Sequence, residues 1–149
     1  MYENEINQNL KNVASYLGSF ALDELNEIKI STFPIFLVIN LDTRSEIGSH
    51  WIALAIYMTD IYLCDSLGGI KPTTRMPNCL INFLHRLVLT RKLHMTCRLQ
   101  PIESDLCGYY CILFVKEMFI HNCFSEFLSL FTRDTSRNDE IVKFLNKRK

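Results

Sequence analysis

One cysteine of the chain lies where a helix is predicted to begin. Cys107 opens a strongly apolar segment that runs to about His121, and the first turn of a helix carries unpaired backbone N–H groups and the positive end of the helix dipole. Such a position lowers the pKa of a thiol from its usual ~8.5 and favours the reactive thiolate. Gly108 follows without a side chain, so a peptide backbone could approach the sulfur. A cysteine at a helix start can also be a packing residue, and both interpretations stay open for Cys107 alone.

Three polar residues earlier in the chain could complete a nucleophilic site. His50 begins an apolar strand, and Asp65 ends the next strand of the same predicted hairpin. Because paired strands lie about 4.8 Å apart, Asp65 could orient the imidazole as the third member of a triad does. Gln100 precedes Cys107 by seven residues, and its amide could join the Cys107 N–H as an oxyanion hole. The alternatives are a solvated strand-edge histidine, an aspartate that caps the turn before Gly68, and a surface glutamine.

The rest of the sequence predicts the elements that would position these residues. Apolar periodicity, proline and glycine positions and polar breaks indicate helices and strands. The predicted helices cover residues 6–17 (ending at Gly18), 77–88, 106–121 (capped by Ser104 or Asp105) and 141–145, and the predicted strands cover 35–39, 50–58, 61–63 and 93–99. Together they predict an α+β fold, with a small mixed sheet packed on a buried central helix and peripheral helices, in one domain over residues 1–149.

Composition excludes several classes of protein. With 149 residues, of which 48% are hydrophobic and 21% charged, the chain has material for a core and is not expected to be disordered. Its longest apolar run, Trp51–Met58, is far shorter than the roughly 18–20 residues of a membrane span. The acidic, polar start does not resemble a secretory signal. We expect an intracellular protein that is not secreted and does not enter a membrane, and we expect a monomer.

The six cysteines do not indicate disulfides or a metal site. No C-x-x-C pair occurs, which argues against a zinc ribbon or a thioredoxin-like site, and most of these thiols are expected to be small buried groups. A metal site built from His50, Cys64 and Cys107 has no ligand spacing to support it. No metal is therefore expected.

The charges are unevenly distributed along the chain. Residues 1–65 hold nine acidic residues against three Lys or Arg, whereas residues 66–102 hold six Lys or Arg and no acid. A basic segment of this kind can attract a polyanion such as DNA, by contacts that weaken with salt. An ordinary solvated surface is the alternative.

The candidate residues occur in segments that resemble a known family. The segments are Gly48-Ser49-His50-Trp51, Tyr62-Leu63-Cys64-Asp65-Ser66-Leu67-Gly68, Gln100, and Cys107-Gly108-Tyr109-Tyr110-Cys111. They resemble the adenovirus-type cysteine endopeptidase, adenain, whose family shares a fold with ubiquitin-like-specific proteases. The resemblance implies that Cys107 is the nucleophile, His50 the base, Asp65 the third triad member and Gln100 the oxyanion donor. Adenoviral members usually carry Glu at the position of Asp65, and ubiquitin-like proteases carry Asp.

The resemblance also implies a function. It predicts a viral or virus-like-element cysteine endopeptidase that matures structural proteins, in a host nucleus or virion. Trp51 and Gly108 are expected to lie at the bound substrate, with Trp51 packed on the catalytic ring; a core anchor is the alternative for Trp51. No cofactor is required for such chemistry, although DNA and a capsid-derived peptide could stimulate it. The peptide's disulfide has no matching cysteine here, since Cys97 lies too close to Gln100. The alternatives are a ubiquitin-like-protein-specific protease and a non-catalytic nucleic-acid-binding assembly protein.

Overall fold

The computed structural model describes residues 1–46, 49–68 and 76–148. Its helices are α1 (Glu3–Leu10), α2 (Asn78–Val88), α3 (Cys107–His121), α4 (Phe124–Ser129) and α5 (Asn138–Asn146). Its strands are β1 (Tyr16–Phe20), β2 (Ile35–Asn40), β3 (Trp51–Ile56), β4 (Asp60–Cys64) and β5 (Lys92–Met95), and 3₁₀ helices span Leu22–Glu27 and Thr135–Arg137.

The five strands form one mixed sheet in the order β1-β2-β3-β4-β5. Strand β3 runs antiparallel to both β2 and β4, whereas β1 runs parallel to β2 and β5 runs parallel to β4. Because β3 and β4 are antiparallel, the start of β3 lies beside the end of β4. His50 and Asp65 immediately adjoin these two strand ends, so the hairpin brings them to one end of the sheet.

Two apolar clusters hold the helices against the sheet. On one face, α3 packs on β3, and its Tyr110 and Phe114 are fully buried in a cluster that includes Phe36 of β2. On the other face, α2 and the first 3₁₀ helix form a second cluster, in which Leu80 and Leu54 are fully buried. Strands β2 and β3 are buried along their whole length, as expected for strands covered on both faces. The predicted α+β fold with a buried central helix is confirmed.

The helix predicted over residues 6–17 is wrong beyond Leu10. Helix α1 ends at Leu10, and Leu17 and Gly18 lie in β1, which pairs with β2. Gly18 pairs with Leu37 next to a register shift between Tyr16 and Gly18, and its positive φ of 142° is a conformation that glycine adopts more readily than other residues. The local helical spacing is overridden because pairing with β2 supplies the backbone hydrogen bonds of this segment.

The central helix differs from its prediction in its cap and its last turn. Leu106 is the N-cap of α3, so the predicted caps Ser104 and Asp105 are wrong. The Ser104 hydroxyl instead accepts a hydrogen bond from the N–H of Leu106 at 3.3 Å, ahead of the helix. Phe119 and Ile120 are 43% and 66% exposed, although the segment is apolar on all sides. The neighbouring elements, rather than the periodicity of the sequence, decide which of its faces is covered.

The alternating strand predicted over residues 93–99 is too long. Strand β5 ends before Thr96. Thr96 is buried and Cys97 is exposed, the reverse of a strand in which Leu93, Met95, Cys97 and Leu99 alternate with polar residues that face water. The reason is a side-chain anchor, since the Thr96 hydroxyl accepts from the N–H of Asp65 at 3.0 Å and donates to its carbonyl at 2.9 Å. Gln100 consequently lies on a loop rather than at the end of a strand.

The basic residues of segment 66–102 do not all serve as a free surface. Arg86 and Arg91 donate to backbone carbonyl groups of the protein itself, and Arg91 also lies over a phenylalanine ring. Lys92 and Arg98 are exposed. Two of the positive charges are therefore used in internal contacts.

Gly48 of the family-like segment, and Lys71 and Arg75 of the basic segment 66–102, lie outside the described residues. In the part of the chain that the structure describes, no helix is long and apolar enough to cross a membrane. The same part contains no group of three or more His, Cys, Asp or Glu placed to hold a metal ion.

A substitution at Gly68 tests the conformation of the turn that follows β4. Its φ is +62°, and a Cβ atom there would lie 2.5 Å from the backbone nitrogen of Arg98. We expect Gly68→Ala to lower the free energy of unfolding by at least about 1–2 kcal/mol, because the left-handed conformation alone costs that much. Urea denaturation measures the change. An unchanged unfolding midpoint would show that the turn relaxes without cost.

Candidate active site

The imidazole of His50 is bonded to the carboxylate of Asp65. His50 Nε2 lies 2.7 Å from Asp65 Oδ1, and the two side chains are 13% and 2% exposed. Since Nε2 is taken by the carboxylate, Nδ1 is the ring nitrogen left to face another partner. The hairpin thus brings together the two residues that the sequence places 15 positions apart.

Backbone contacts fix the carboxylate of Asp65 in this orientation. Its Oδ1 also accepts a hydrogen bond from the N–H of Leu67 at 3.1 Å. Thr96 holds the backbone of Asp65 from the side of β5, and the Asp65 carbonyl accepts from the N–H of Gly68 at 2.9 Å. The carboxylate that orients the imidazole is therefore held by hydrogen bonds within and around a tight turn.

The thiol of Cys107 interacts with the other side of the imidazole. Cys107 is the first residue of α3 and is 9% exposed. Burial disfavours its thiolate, but hydrogen bonds from His50 and from the backbone N–H groups of Trp51 and Gly108 outweigh burial and lower the pKa of Cys107. The predicted juxtaposition of Cys107, His50 and Asp65 is present in the structure.

The imidazole shows the complementary shift. Burial of the ring opposes its charged form, yet the hydrogen bonds to Asp65 and Cys107 outweigh this and raise the pKa of His50 to about 9. A raised imidazole pKa beside a lowered thiol pKa favours the ion pair of thiolate and imidazolium near neutral pH. This arrangement can supply a nucleophile and a proton donor in the same site.

The other buried cysteines have the opposite electrostatics. Burial raises the pKa of Cys64 and of Cys111 above the usual thiol range, so both are protonated packing groups at neutral pH. Cys123 has a lowered pKa, but the causes are Ser125 and the backbone of Glu126, at the surface. Among these cysteines, Cys107 combines a lowered pKa with an imidazole partner.

Gln100 is 1% exposed, so the alternative of a surface glutamine is wrong. Its Nε2 donates to the carbonyl of Ser104 at 2.7 Å and lies 3.1 Å from the Ser104 hydroxyl, and its Oε1 accepts from the hydroxyl of Ser66 at 2.6 Å. Ser104 belongs to the short loop that leads into Cys107. The amide is thus attached to the segment that carries the thiol.

Trp51 and Gly108 surround the site in a way that the sequence does not indicate. Trp51 is 9% exposed within the core cluster, and its Nε1 donates to the carbonyl of Met1 at 3.1 Å. A Cβ atom on Gly108 would meet the Met1 sulfur at 2.7 Å. The space beside Gly108 is therefore occupied by a flexible side chain from the N-terminal segment, which borders the site along with Trp51.

Sequence reasoning missed four residues of the site. Met1 contacts Trp51, and Thr96 contacts Asp65. Ser66 and Ser104 both contact Gln100. Only Ser66 carried a local signal, its position next to Asp65. The other three are brought to the site from distant elements or by a loop whose course the sequence does not specify.

Solved structures provide a comparison for this geometry. The ASFV pS273R protease matches with a TM-score of 0.70, at 17% identity, over 97% of this chain and 65% of that chain. Its selenomethionine form matches with a TM-score of 0.65, at 15% identity, over 98% of this chain and 66% of that chain. The chain has the fold of adenain and ubiquitin-like-specific cysteine proteases. It spans about two thirds of the length of the ASFV protease.

A bacterial effector extends the comparison. The Chlamydia trachomatis protein Cdu1, solved bound to ubiquitin, matches with a TM-score of 0.50, at 14% identity, over 98% of this chain and 77% of that chain. No protein-family model matches the chain, and no curated protein matches its sequence. At these identities the likeness establishes the fold, and the resemblance seen in the sequence segments is confirmed at that level.

The ion pair predicts how Cys107 reacts with pH. Because its thiol pKa is lowered, we expect native Cys107 to be alkylated by iodoacetamide at pH values well below the ~8.5 of a free thiol. Asp65→Asn removes the charge that helps raise the pKa of His50, so its imidazolium is lost at lower pH and the thiolate loses its partner. Alkylation of Cys107 in this variant should therefore slow at neutral pH.

Peptide mass spectrometry after timed alkylation measures both effects. The urea-denatured protein is the reference, because its cysteines titrate near the usual value. Coincident pH profiles for Cys107 in native and denatured protein would contradict the ion pair.

Proposed function

We propose that the protein is a cysteine endopeptidase in which Cys107, His50 and Asp65 form the catalytic triad. The observation that carries the proposal is the 2.7 Å contact between His50 and Asp65, with the ring held between this carboxylate and a thiol of lowered pKa. The shared fold with cysteine proteases supports it. The proposed steps use only side chains and backbone groups of this chain and water, without a cofactor.

In the first half of the reaction, the Cys107 thiolate attacks the carbonyl carbon of the scissile peptide bond. The negative charge that develops on the carbonyl oxygen is stabilised by the N–H of Cys107, which has no partner within the first helical turn, and by the Gln100 amide. His50 then gives its proton to the departing amine. The products are a free amine and a thioester on Cys107.

In the second half, water hydrolyses the thioester. His50, now neutral, takes a proton from water as the oxygen attacks the acyl carbon. The Cys107 thiolate leaves, the carboxylic acid product is released, and the proton on the imidazole restores the ion pair. Asp65 keeps its hydrogen bond to Nε2 throughout, so that Nδ1 faces the reacting atoms.

For the substrate, we propose precursors of viral structural proteins. The support is the likeness to the ASFV pS273R protease, whose TM-score of 0.70 exceeds the 0.50 of the ubiquitin-bound effector. The family resemblance adds a preference for small residues around the cleaved bond, with glycine before it. Trp51 and Gly108 are proposed to border the bound peptide, after displacement of the flexible Met1 side chain that packs on Gly108.

A ubiquitin-like-protein-specific protease is the second candidate. Two observations favour it, the aspartate at position 65 rather than a glutamate and the likeness to an effector solved with ubiquitin. Both candidates use the same chemistry, so they differ only in the protein that supplies the glycine-containing peptide.

Stimulation by DNA or by a capsid-derived peptide remains a prediction, as do a location in a host nucleus or virion and a monomeric state. Lys92 and Arg98 are exposed and could contact a polyanion. A non-catalytic nucleic-acid-binding protein is the third candidate, and it would bind DNA without reacting at Cys107.

Removal of the nucleophile provides the first test. We expect Cys107→Ala to abolish cleavage of fluorogenic peptides that contain glycine before the scissile bond, because it removes the sulfur beside His50 that forms the thioester. Cys79→Ala and Cys123→Ala are the controls and should retain activity. Turnover by Cys107→Ala would eliminate the proposal.

Removal of the oxyanion donor provides a graded test. Gln100→Ala should lower kcat by roughly 10²–10³-fold if its amide stabilises the oxyanion. Alkylation of Cys107 forms no oxyanion and should keep its rate, which shows that the site is intact. A kcat equal to that of the unmodified protein would remove Gln100 from the mechanism while leaving the triad in place.

A substrate panel separates the two protease candidates. The viral maturation protease should cleave glycine-containing peptides from capsid precursors faster than carboxyl-terminal fluorogenic derivatives of ubiquitin and ubiquitin-like proteins. The reverse order of kcat/KM would favour the second candidate.

A further inference from the structure

The end of β4 supplies two consecutive polar residues with different partners. Asp65 bonds to the imidazole of His50, and Ser66 bonds to the amide of Gln100. The Ser66 hydroxyl lies 2.6 Å from Gln100 Oε1, and both residues are 1% exposed. A buried hydrogen bond of this kind has no water to replace it when one partner is removed.

The two ends of the Gln100 amide have partners of different chemistry. The carbonyl oxygen of Ser104 can only accept, so the amide nitrogen must face it at 2.7 Å. The amide oxygen then faces Ser66, whose hydroxyl donates to it. An amide turned by half a rotation would place two carbonyl oxygens together at Ser104. The amide nitrogen also donates to the Ser104 hydroxyl at 3.1 Å, and this longer bond is the one that exchanges for the oxyanion in the proposed role. Ser66 and Ser104 therefore fix the same orientation, with the N–H groups toward the loop that leads to Cys107.

The backbone of Ser66 reinforces this arrangement. The N–H groups of Leu99 and Gln100 both donate to the Ser66 carbonyl at 2.8 Å. One residue thus holds the main chain of Gln100 as well as the end of its side chain. Because Ser66 directly follows Asp65, any shift of this turn would move the carboxylate that orients His50 and the Gln100 amide together.

We propose that Ser66 is a positioning residue that holds the Gln100 amide in the orientation that donates to the oxyanion. The inference rests on the proposed function, since it assigns a role within the same site. Ser66 has no contact with the reacting atoms in this role, because it acts through Gln100. Its hydroxyl keeps the N–H groups of the Gln100 amide directed toward the loop that leads to Cys107 while the tetrahedral intermediates form and break down.

The first experiment compares two buried serines. Ser66→Ala should lower kcat about tenfold, the effect of losing one buried hydrogen bond, with KM nearly unchanged because substrate binding precedes formation of the oxyanion. Ser19→Ala is the matched control, since Ser19 of β1 is 6% exposed and its hydroxyl donates to Asn7 Oδ1 at 2.9 Å rather than to a residue of the proposed site. It should keep kcat. Equal losses in the two variants would overturn the proposal.

A peptide aldehyde gives a second readout. The aldehyde adds to the Cys107 thiol and forms a hemithioacetal whose oxygen mimics the oxyanion, so Ser66→Ala should weaken its inhibition by a similar factor. Alkylation by iodoacetamide forms no oxyanion and should be unchanged, a result that a general disruption of the site would not give. If Ser66→Ala does not fold, Ser66→Cys retains the volume but donates weakly and should show the same pattern.

The decisive measurement combines the two substitutions. In a Gln100→Ala background, Ser66→Ala should cause no further loss of kcat, because its only proposed route of action is absent. A full additional loss would overturn the positioning role. Loss of activity in Cys107→Ala with no effect of Gln100→Ala would defeat the oxyanion assignment, whereas activity in Cys107→Ala would defeat the proposed function itself.

Discussion

The site depends on keeping a positive charge on an imidazole that is largely removed from water. Burial alone would neutralise His50, and the structure counters this with a carboxylate on one ring nitrogen and a thiol interacting with the ring. The same ion pair lowers the pKa of Cys107 against the effect of its own burial. Each charge therefore stabilises the other, in addition to Asp65 beside the imidazolium and backbone N–H groups beside the thiolate, and the elements that carry them must be held closely.

The turn after β4 meets this requirement with few residues. Asp65 faces His50 and Ser66 faces Gln100, while Thr96 and Gly68 hydrogen-bond to the backbone of Asp65. The turn is also held by the sheet, because β4, which precedes it, pairs with β3 and β5. One short turn, supported by three strands, thus sets how the ion pair of His50 and Cys107 and the amide of Gln100 are oriented relative to each other.

Much of the site follows from local patterns in the chain. The hairpin predicts that His50 and Asp65 meet, since antiparallel strands joined by a short turn must place such ends together. The apolar run after Cys107 predicts a buried helix that begins there. Leu17 shows the limit of this reasoning, because its helical spacing is equally compatible with a strand once a partner strand is available. The end of β5 was likewise missed, since the anchor at Thr96 has no signature in the sequence.

The sequence by itself determined which groups could react: a cysteine at a helix start, a histidine and an aspartate on one hairpin, and a glutamine before the helix. These are local features, because they depend on residue type, periodicity and short separations along the chain. Only the tertiary structure decided that α3 points its first residue at His50 and that Ser66 faces Gln100, 34 positions later. Contacts of that kind depend on how the helices pack on the sheet, and packing is set by the whole core rather than by any one segment.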